Sequence, residues 1–183
     1  MLTLLDRDGV INHDLPTGIL RREDFTILQG IPEAIARLTA AGQRVAICTN
    51  QASIGRGQLT WPELDAMHAH LREVVEHAGG RIDAIYVAAD HPDHPSDRRK
   101  PGPGMLREAM VQFQAEAAST FFIGDALRDL QAAAAAGCPS ILVRSGHGQH
   151  TEQAGWAPAN APRYIADGLP DAVDWLLSYS AGA

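Results

Sequence analysis

The sequence predicts an α/β fold, a three-layer sandwich with helices on both faces of a mostly parallel sheet. Three observations carry this. Short apolar runs alternate with longer stretches of helical periodicity. The short runs are almost continuously apolar, as strands buried on both faces require. Polar residues of distinctive chemistry stand just past several of them, where ligands collect in an open parallel sheet.

The elements follow in order. Leu2–Leu5 reads as the first strand, and Gly9 supplies the tight turn by which the chain leaves it. Pro32–Ala41 is a helix, with Gly42 placed for a left-handed cap. Arg44–Cys48 is the second strand. The helix Pro62–Ala78 is announced by Thr60-Trp61-Pro62-Glu63, which has capping-box spacing and a proline near the second helical position. Ala84–Ala88 is a third strand and Met105–Phe113 a helix. Thr120–Ile123 is a fourth strand, followed by the helix Leu127–Ala136 and its cap Gly137. Ser140–Val143, a weak strand near Tyr164–Ile165 and a helix over Pro170–Leu177 complete the pattern. No repeat, low-complexity segment or linker divides the chain, so residues 1–183 read as one domain, large enough for a substantial core.

Composition narrows the classes. Apolar residues make up 45% and charged residues 20%, ordinary for a globular protein. A net charge of −7 argues against a general nucleic-acid or membrane-surface binder. Cys48 and Cys138 sit in apolar stretches and read as buried thiols, and no C-x-x-C pair offers a metal site. No signal peptide precedes the first strand, and no apolar run approaches the ~20 residues that cross a bilayer. The expectation is a cytoplasmic protein, for which a monomer is plausible. Trp61, Trp156 and Trp175 read as packing residues, and Arg21, Arg22, His147 and His150 as surface residues without a role.

The strand ends hold the chemistry. Asp6 and Asp8 lie just past the first strand, where the backbone turns and both carboxylates can enter one polar pocket. Such a pair suits phosphoryl transfer: one carboxylate attacks phosphorus, the other manages the leaving-group proton, and Mg²⁺ neutralises the crowding. An Asp-x-Asp alone is weak evidence, because acidic turns are common. Its weight comes from the other ends: Thr49-Asn50-Gln51 after the second strand, Arg99-Lys100-Pro101 after the third, and Gly124-Asp125 with Asp129 after the fourth.

Taken together, Asp6-x-Asp8, Thr49, Lys100 and Gly124-Asp125-x-x-x-Asp129 resemble the four motifs of the haloacid dehalogenase-like phosphatases. The stretches Asp6-Arg7-Asp8-Gly9-Val10-Ile11-Asn12, Thr49-Asn50-Gln51 and Arg99-Lys100-Pro101-x-Pro103-Gly104-Met105 resemble the branch that holds the heptose 1,7-bisphosphate and histidinol-phosphate phosphatases. The resemblance implies a Rossmann-like sandwich without a large cap domain, and a Mg²⁺-dependent phosphatase. Its expected substrate is a small phosphorylated sugar: heptose 1,7-bisphosphate losing its C7 phosphate, or, as the alternative, histidinol phosphate or another sugar phosphate. It implies Asp6 as nucleophile and Asp8 as general acid, then base. The carboxylates of Asp6 and Asp125, with the backbone carbonyl of Asp8, would hold the metal. Thr49 and Lys100 would bind the transferring phosphoryl group, and Asn12, Asn50, Gln51, Arg56 and Arg99 the rest of the substrate. Asp129 would orient Lys100 or the metal shell, or simply cap its helix. The stretch Asp14–Thr17 falls where the family has a short specificity loop.

Three departures stand out. The zinc loop of many heptose-bisphosphate phosphatases, Cys-x-His and Cys-x-Cys, is replaced by Ala88-Ala89-Asp90 and Ser96-Asp97-Arg98, so no zinc is expected. His91 and His94 in a proline-rich turn do not fix a four-ligand geometry. Ala126 stands where a basic residue is usual, and Ala52-Ser53 where the family has Ser-Gly. The last two border the substrate and leave the phosphoryl-transfer residues intact. A non-catalytic phosphate-binding protein would be expected to lack one of those residues. A phosphotransferase with another acceptor is distinguished only by its products.

Overall fold

The computed structural model describes residues 1–181. Its strands are β1 (Leu2–Leu5), β2 (Arg44–Asn50), β3 (Ala84–Ala88), β4 (Thr120–Gly124), β5 (Ser140–Val143) and β6 (Tyr164–Ala166). They form one sheet in the order β3-β2-β1-β4-β5-β6, and every pairing is parallel. Leu2–Leu5 pairs in register with Arg44–Ile47 on one side and Thr120–Ile123 on the other. The order reverses between β1 and β4. A crevice opens there at the carboxyl ends of the strands, and Asp6 and Asp125 are the residues that follow those two strands.

The helices are α1 (Ile31–Ala40), α2 (Ala52–Gly55), α3 (Trp61–His77), α4 (Gly104–Phe113), α5 (Leu127–Ala136), α6 (Gly148–Ala154) and α7 (Leu169–Ala181). Side chains alternate across the sheet, and two apolar clusters result. On one face Leu5, Ile47, Phe121 and Ile123 pack with Ile35 of α1, Leu64 and Leu71 of α3, and Val173 and Leu176 of α7. On the other, Leu4, Cys48 and Phe122 pack with Leu106 and Ala109 of α4 and Ala132 and Ala133 of α5. Full burial of each Leu, Ile or Phe stabilises by about 1.5–3 kcal/mol, so a rigid sheet underlies the strand ends. No described helix is long and apolar enough to cross a membrane.

The elements expected from sequence are present within a residue or two, apart from α7, which runs on to Ala181. Thr60 and Glu63 form the reciprocal capping box of α3, and Gly42 and Gly137 take left-handed φ past α1 and α5. Cys48 and Cys138 are buried free thiols. The sequence reading lacked α2 and α6. Trp61 corrects another expectation: it is 49% exposed and packs into no core. Trp175 does pack, stacked between Tyr164 and Tyr179.

Candidate active site

Four strand ends converge on the crevice. Asp6 is fixed first. Its backbone N–H donates to Ile123 at 2.9 Å, extending the β1–β4 ladder by one bond. Its Oδ1 accepts from the backbone N–H of Arg7 at 2.7 Å and pairs with Lys100 Nζ at 2.7 Å. Among the described residues Oδ2 receives no hydrogen bond, and it is the oxygen left for chemistry.

Lys100 is a cation inside a protein, 2% exposed, held between Asp6 and Asp129 Oδ1 at 2.8 Å and lying 5.2 Å from the ring centre of Phe122. Burial works against its charge, but Asp129 and Asp6 more than compensate and raise its pKa. Its backbone is pinned as well. Asn50 Nδ2 donates to the Lys100 carbonyl at 3.0 Å, and the Lys100 N–H donates to Asn50 Oδ1 at 3.0 Å. Asp129 has two duties: Oδ1 holds Lys100, and Oδ2 accepts from the N–H groups of Asp125 and Ala126 at 3.2 and 3.0 Å, capping α5. Both alternatives raised for Asp129 therefore hold together.

Asp125 is enclosed more tightly. A Cβ on Gly9 or on Gly146, both at positive φ, would lie 2.2 Å from Asp125 Oδ2, so only glycine permits the carboxylate to sit between them. That oxygen accepts from the backbone N–H of His147 at 2.7 Å, and the Thr151 hydroxyl donates to the Asp125 carbonyl at 2.9 Å. Oδ1 is buried without a partner. Burial, with the charges of Asp6 and Asp129, pushes the Asp125 carboxyl up to about 8. Burial likewise carries Asp6 to about 6, Lys100 opposing and Asp129 reinforcing the shift.

Ligand oxygens of Asp6, Asp125 and Asp129 lie within 4.8 Å of one another, the one such group of three among the described residues. Hard oxygen donors, an unpartnered buried oxygen and repelling carboxylates fit Mg²⁺. Asp129 has already committed both oxygens, so Asp6 and Asp125 are the carboxylates of this group that could hold an ion with an oxygen still free. The carboxylate of Asp8 stands outside this cluster.

Asp8 is instead surrounded by donors. Arg7 reaches Oδ1 from Nε (3.2 Å) and Nη2 (2.8 Å), and Oδ2 from Nη2 (3.1 Å). Asn12 Nδ2 donates to Oδ1 at 2.9 Å, and Gln51 Nε2 to Oδ2 at 2.8 Å. Burial alone would raise this carboxyl, but Arg7, Asn12 and Gln51 hold it below the usual carboxylate range. Thr49, fully buried at the end of β2, accepts from the same Gln51 amide at 2.9 Å.

The residues expected to bind substrate thus divide. Asn12, Asn50 and Gln51 spend side-chain amides on Asp8 and Lys100, so in the free protein they hold those two residues in place. Arg56 is exposed after α2. Arg99 is half-buried with Nη1 lacking a partner, and burial and the nearby charges of Arg128 and Arg56 lower its pKa. Arg128 is a residue that the sequence reading missed. Burial works against its charge, but Asp129, Asp6, Asp125 and Asp14 raise its pKa. A signal was available: a cation in the first turn of α5 opposes the helix dipole, a placement that stability does not favour. His147 was also missed. Besides its backbone bond to Asp125, its Nε2 lies 3.0 Å from Asp14 Oδ2, joining the Asp14–Thr17 loop to the loop after β5. A cleft of about 380 Å³ opens there, lined by Asn12, Asp14, Leu15 and His147 among others.

Comparison with known proteins agrees with this geometry. The family described as HAD-hydrolase-like matches residues 97–172. A D-glycero-beta-D-manno-heptose-1,7-bisphosphate 7-phosphatase of Pseudomonas putida is 42% identical over 154 residues, covering 84% of this chain and 88% of the relative. The D,D-heptose 1,7-bisphosphate phosphatase of B. bronchiseptica, solved in complex with magnesium and phosphate, superposes with a TM-score of 0.93 at 36% identity, over 97% of this chain and 98% of that one. The corresponding enzyme of Burkholderia thailandensis superposes with a TM-score of 0.75 at 37% identity, with the same coverage. With its strand-end carboxylates, its buried lysine and relatives of this similarity over most of its length, the chain belongs to the haloacid dehalogenase-like hydrolases, in the branch of the heptose 1,7-bisphosphate phosphatases.

Proposed function

We propose that this chain is a Mg²⁺-dependent phosphomonoesterase that removes the C7 phosphate of D-glycero-D-manno-heptose 1,7-bisphosphate through an aspartyl-phosphate on Asp6. The observation that carries the proposal is the asymmetry of Asp6. Oδ1 is held by Lys100 and a backbone N–H, and Oδ2 is open beside Asp125. In this reading Oδ2 attacks phosphorus, the bond from phosphorus to O7 breaks, and its electron pair leaves with the sugar oxygen. Asp8 supplies the proton to that oxygen. Water, deprotonated by Asp8, then attacks the phosphoryl group and releases phosphate from Asp6. Asp6, Asp125 and the Asp8 backbone carbonyl would hold Mg²⁺, which supplies charge neutralisation at the phosphoryl oxygens when bound. Lys100 and Thr49 serve the same oxygens.

The donors around Asp8 favour its carboxylate, the form the second step needs. The first step needs the acid, and a phosphoryl group arriving close by shifts Asp8 toward it. The second phosphate of the substrate meets cations at Arg56, Arg99 and Arg128. Loss of the usual basic residue at Ala126 is offset in this reading by Arg128, two positions on. We assign residues 1–183 to one catalytic domain acting in the cytoplasm on a small phosphorylated sugar, with no nucleic-acid or membrane partner and no zinc.

The test is phosphate release from the β and α anomers of heptose 1,7-bisphosphate, beside histidinol phosphate, with and without Mg²⁺. The Pseudomonas putida relative is named for the β anomer, which is therefore the expected preference. Asp6→Asn should fall below ~1% of wild-type turnover, since an amide is not a competent nucleophile. Higher residual activity would remove Asp6 from that role. Turnover of histidinol phosphate alone would change the substrate and keep the chemistry.

A further inference from the structure

One buried polar contact is left unused by the chemistry above. His68 lies on the apolar stripe of α3, flanked by Leu64 and Leu71, and is 7% exposed. Its Nε2 stands 3.3 Å from Nη1 of Arg7. A guanidinium only donates, so Nε2 is the acceptor, and the neutral ring carries its proton on Nδ1. Arg7 has no exposed surface; its Nε and Nη2 are spent on Asp8, and its guanidinium carbon lies 5.4 Å from the centre of the Phe25 ring. Among the described residues His68 is therefore the partner of Nη1.

We propose that His68 is a positioning residue for the reaction: by accepting from Nη1 it fixes the plane of the Arg7 guanidinium, and through it the orientation of the Asp8 carboxyl. The inference rests on the acid–base role proposed for Asp8. The chain of contacts runs from α3 through a buried arginine to Asp8. Loss of the acceptor leaves a buried N–H unpaired, and a guanidinium seeking another partner tilts away from Asp8. A misplacement on the order of 1 Å at a reacting group costs up to about a hundredfold in rate.

A histidine that merely packs makes the opposite prediction, because leucine suits the stripe formed by Leu64, Met67, Leu71 and Val75. The experiment compares kcat and KM for Mg²⁺-dependent phosphate release from heptose 1,7-bisphosphate in wild type, His68→Leu, His68→Gln and Asp8→Asn. His68→Leu should lower kcat by about tenfold or more with KM within about twofold. His68→Gln, whose amide oxygen reaches Nη1, should recover most of that loss. Wild-type kcat in a folded His68→Leu protein, or equal losses in the leucine and glutamine variants, would overturn the proposal. If the leucine variant does not fold, His68→Asn serves, polar but too short to reach Nη1: the same fall is expected, and wild-type kcat overturns the proposal. An undiminished kcat in Asp8→Asn would show that the reading of Asp8 itself fails. A dead Asp8→Asn beside a fully active His68→Leu would confine the failure to His68.

Discussion

Lys100 concentrates the electrostatics of the site in one side chain. Its ammonium serves two buried carboxylates at 2.7 and 2.8 Å, and all three partners lie within a few per cent of full burial. Lys100→Met keeps the length of the stem and removes the charge. Asp6 and Asp129 then face each other without the ammonium between them, with Arg128 the remaining nearby cation, a loss on the order of 3–5 kcal/mol. Urea unfolding of the metal-free protein should show a lower midpoint with little change in slope, and turnover should vanish. A loss below about 1 kcal/mol would mean that the two carboxylates rearrange at little cost. The identity of such residues was legible in the sequence, because an Asp-x-Asp, a Lys-Pro and a Gly-Asp at successive strand ends carry their chemistry in their residue types. The directions of the amides were not legible. Asn12, Asn50 and Gln51 read equally well as substrate ligands, and only their three-dimensional placement shows them turned toward Asp8 and Lys100.

At the scale of elements, α3 joins stability to the site. Its start is encoded locally: Thr60 and Glu63 satisfy each other across the first turn, which is why spacing alone located it. α2 and α6, of four and seven residues, are too short to develop a period, and their positions follow from the turns and contacts around them. His68 marks a different limit, because an i, i+3, i+4 pattern records that a position is inward without recording what it meets. Burial, then the charge of Arg7, depresses its pKa to about 3; Asp8 opposes and Arg72 on the same helix adds to the shift. The folded state therefore keeps the ring neutral while the unfolded chain takes up a proton near pH 6.5. Between those values the unfolded state binds more protons, so stability falls as the pH drops below about 6.5. At pH 5 the difference is about 2 kcal/mol. Urea midpoints at pH 7 and pH 5 should separate by more in wild type than in His68→Gln, and equal separations would mean that the ring accepts the proton in place.

Over the whole molecule, the sheet order brings the chemistry together and also sets its cost. The reversal between β1 and β4 puts Asp6 and Asp125 on adjacent strand ends, with Asp129 one turn into α5. This follows from parallel pairing that the apolar runs had already indicated, although strand order itself is not written in any local pattern. The result is a cluster of buried acids whose ionised forms repel one another, and burial together with the neighbouring acids raises the carboxyls of Asp6 and Asp125 to about 6 and about 8. A divalent cation relieves that repulsion only in the folded state, because the unfolded chain does not gather Asp6 and Asp125, which are far apart in sequence. Mg²⁺ should therefore stabilise the protein by linkage, by about 2.7 kcal/mol at a hundredfold excess over its dissociation constant. For a domain of this size that corresponds to a rise in Tm of roughly 5–10 °C. The same titration on Asp125→Asn should give a much smaller rise, since the unpartnered Oδ1 and its charge are replaced by a neutral amide. Scanning calorimetry with and without chelator measures both. An equal shift in the two proteins would place the cation elsewhere and detach Asp125 from the metal site, whereas loss of the shift in the variant ties the stability gained from Mg²⁺ to the carboxylates that the sheet reversal assembles.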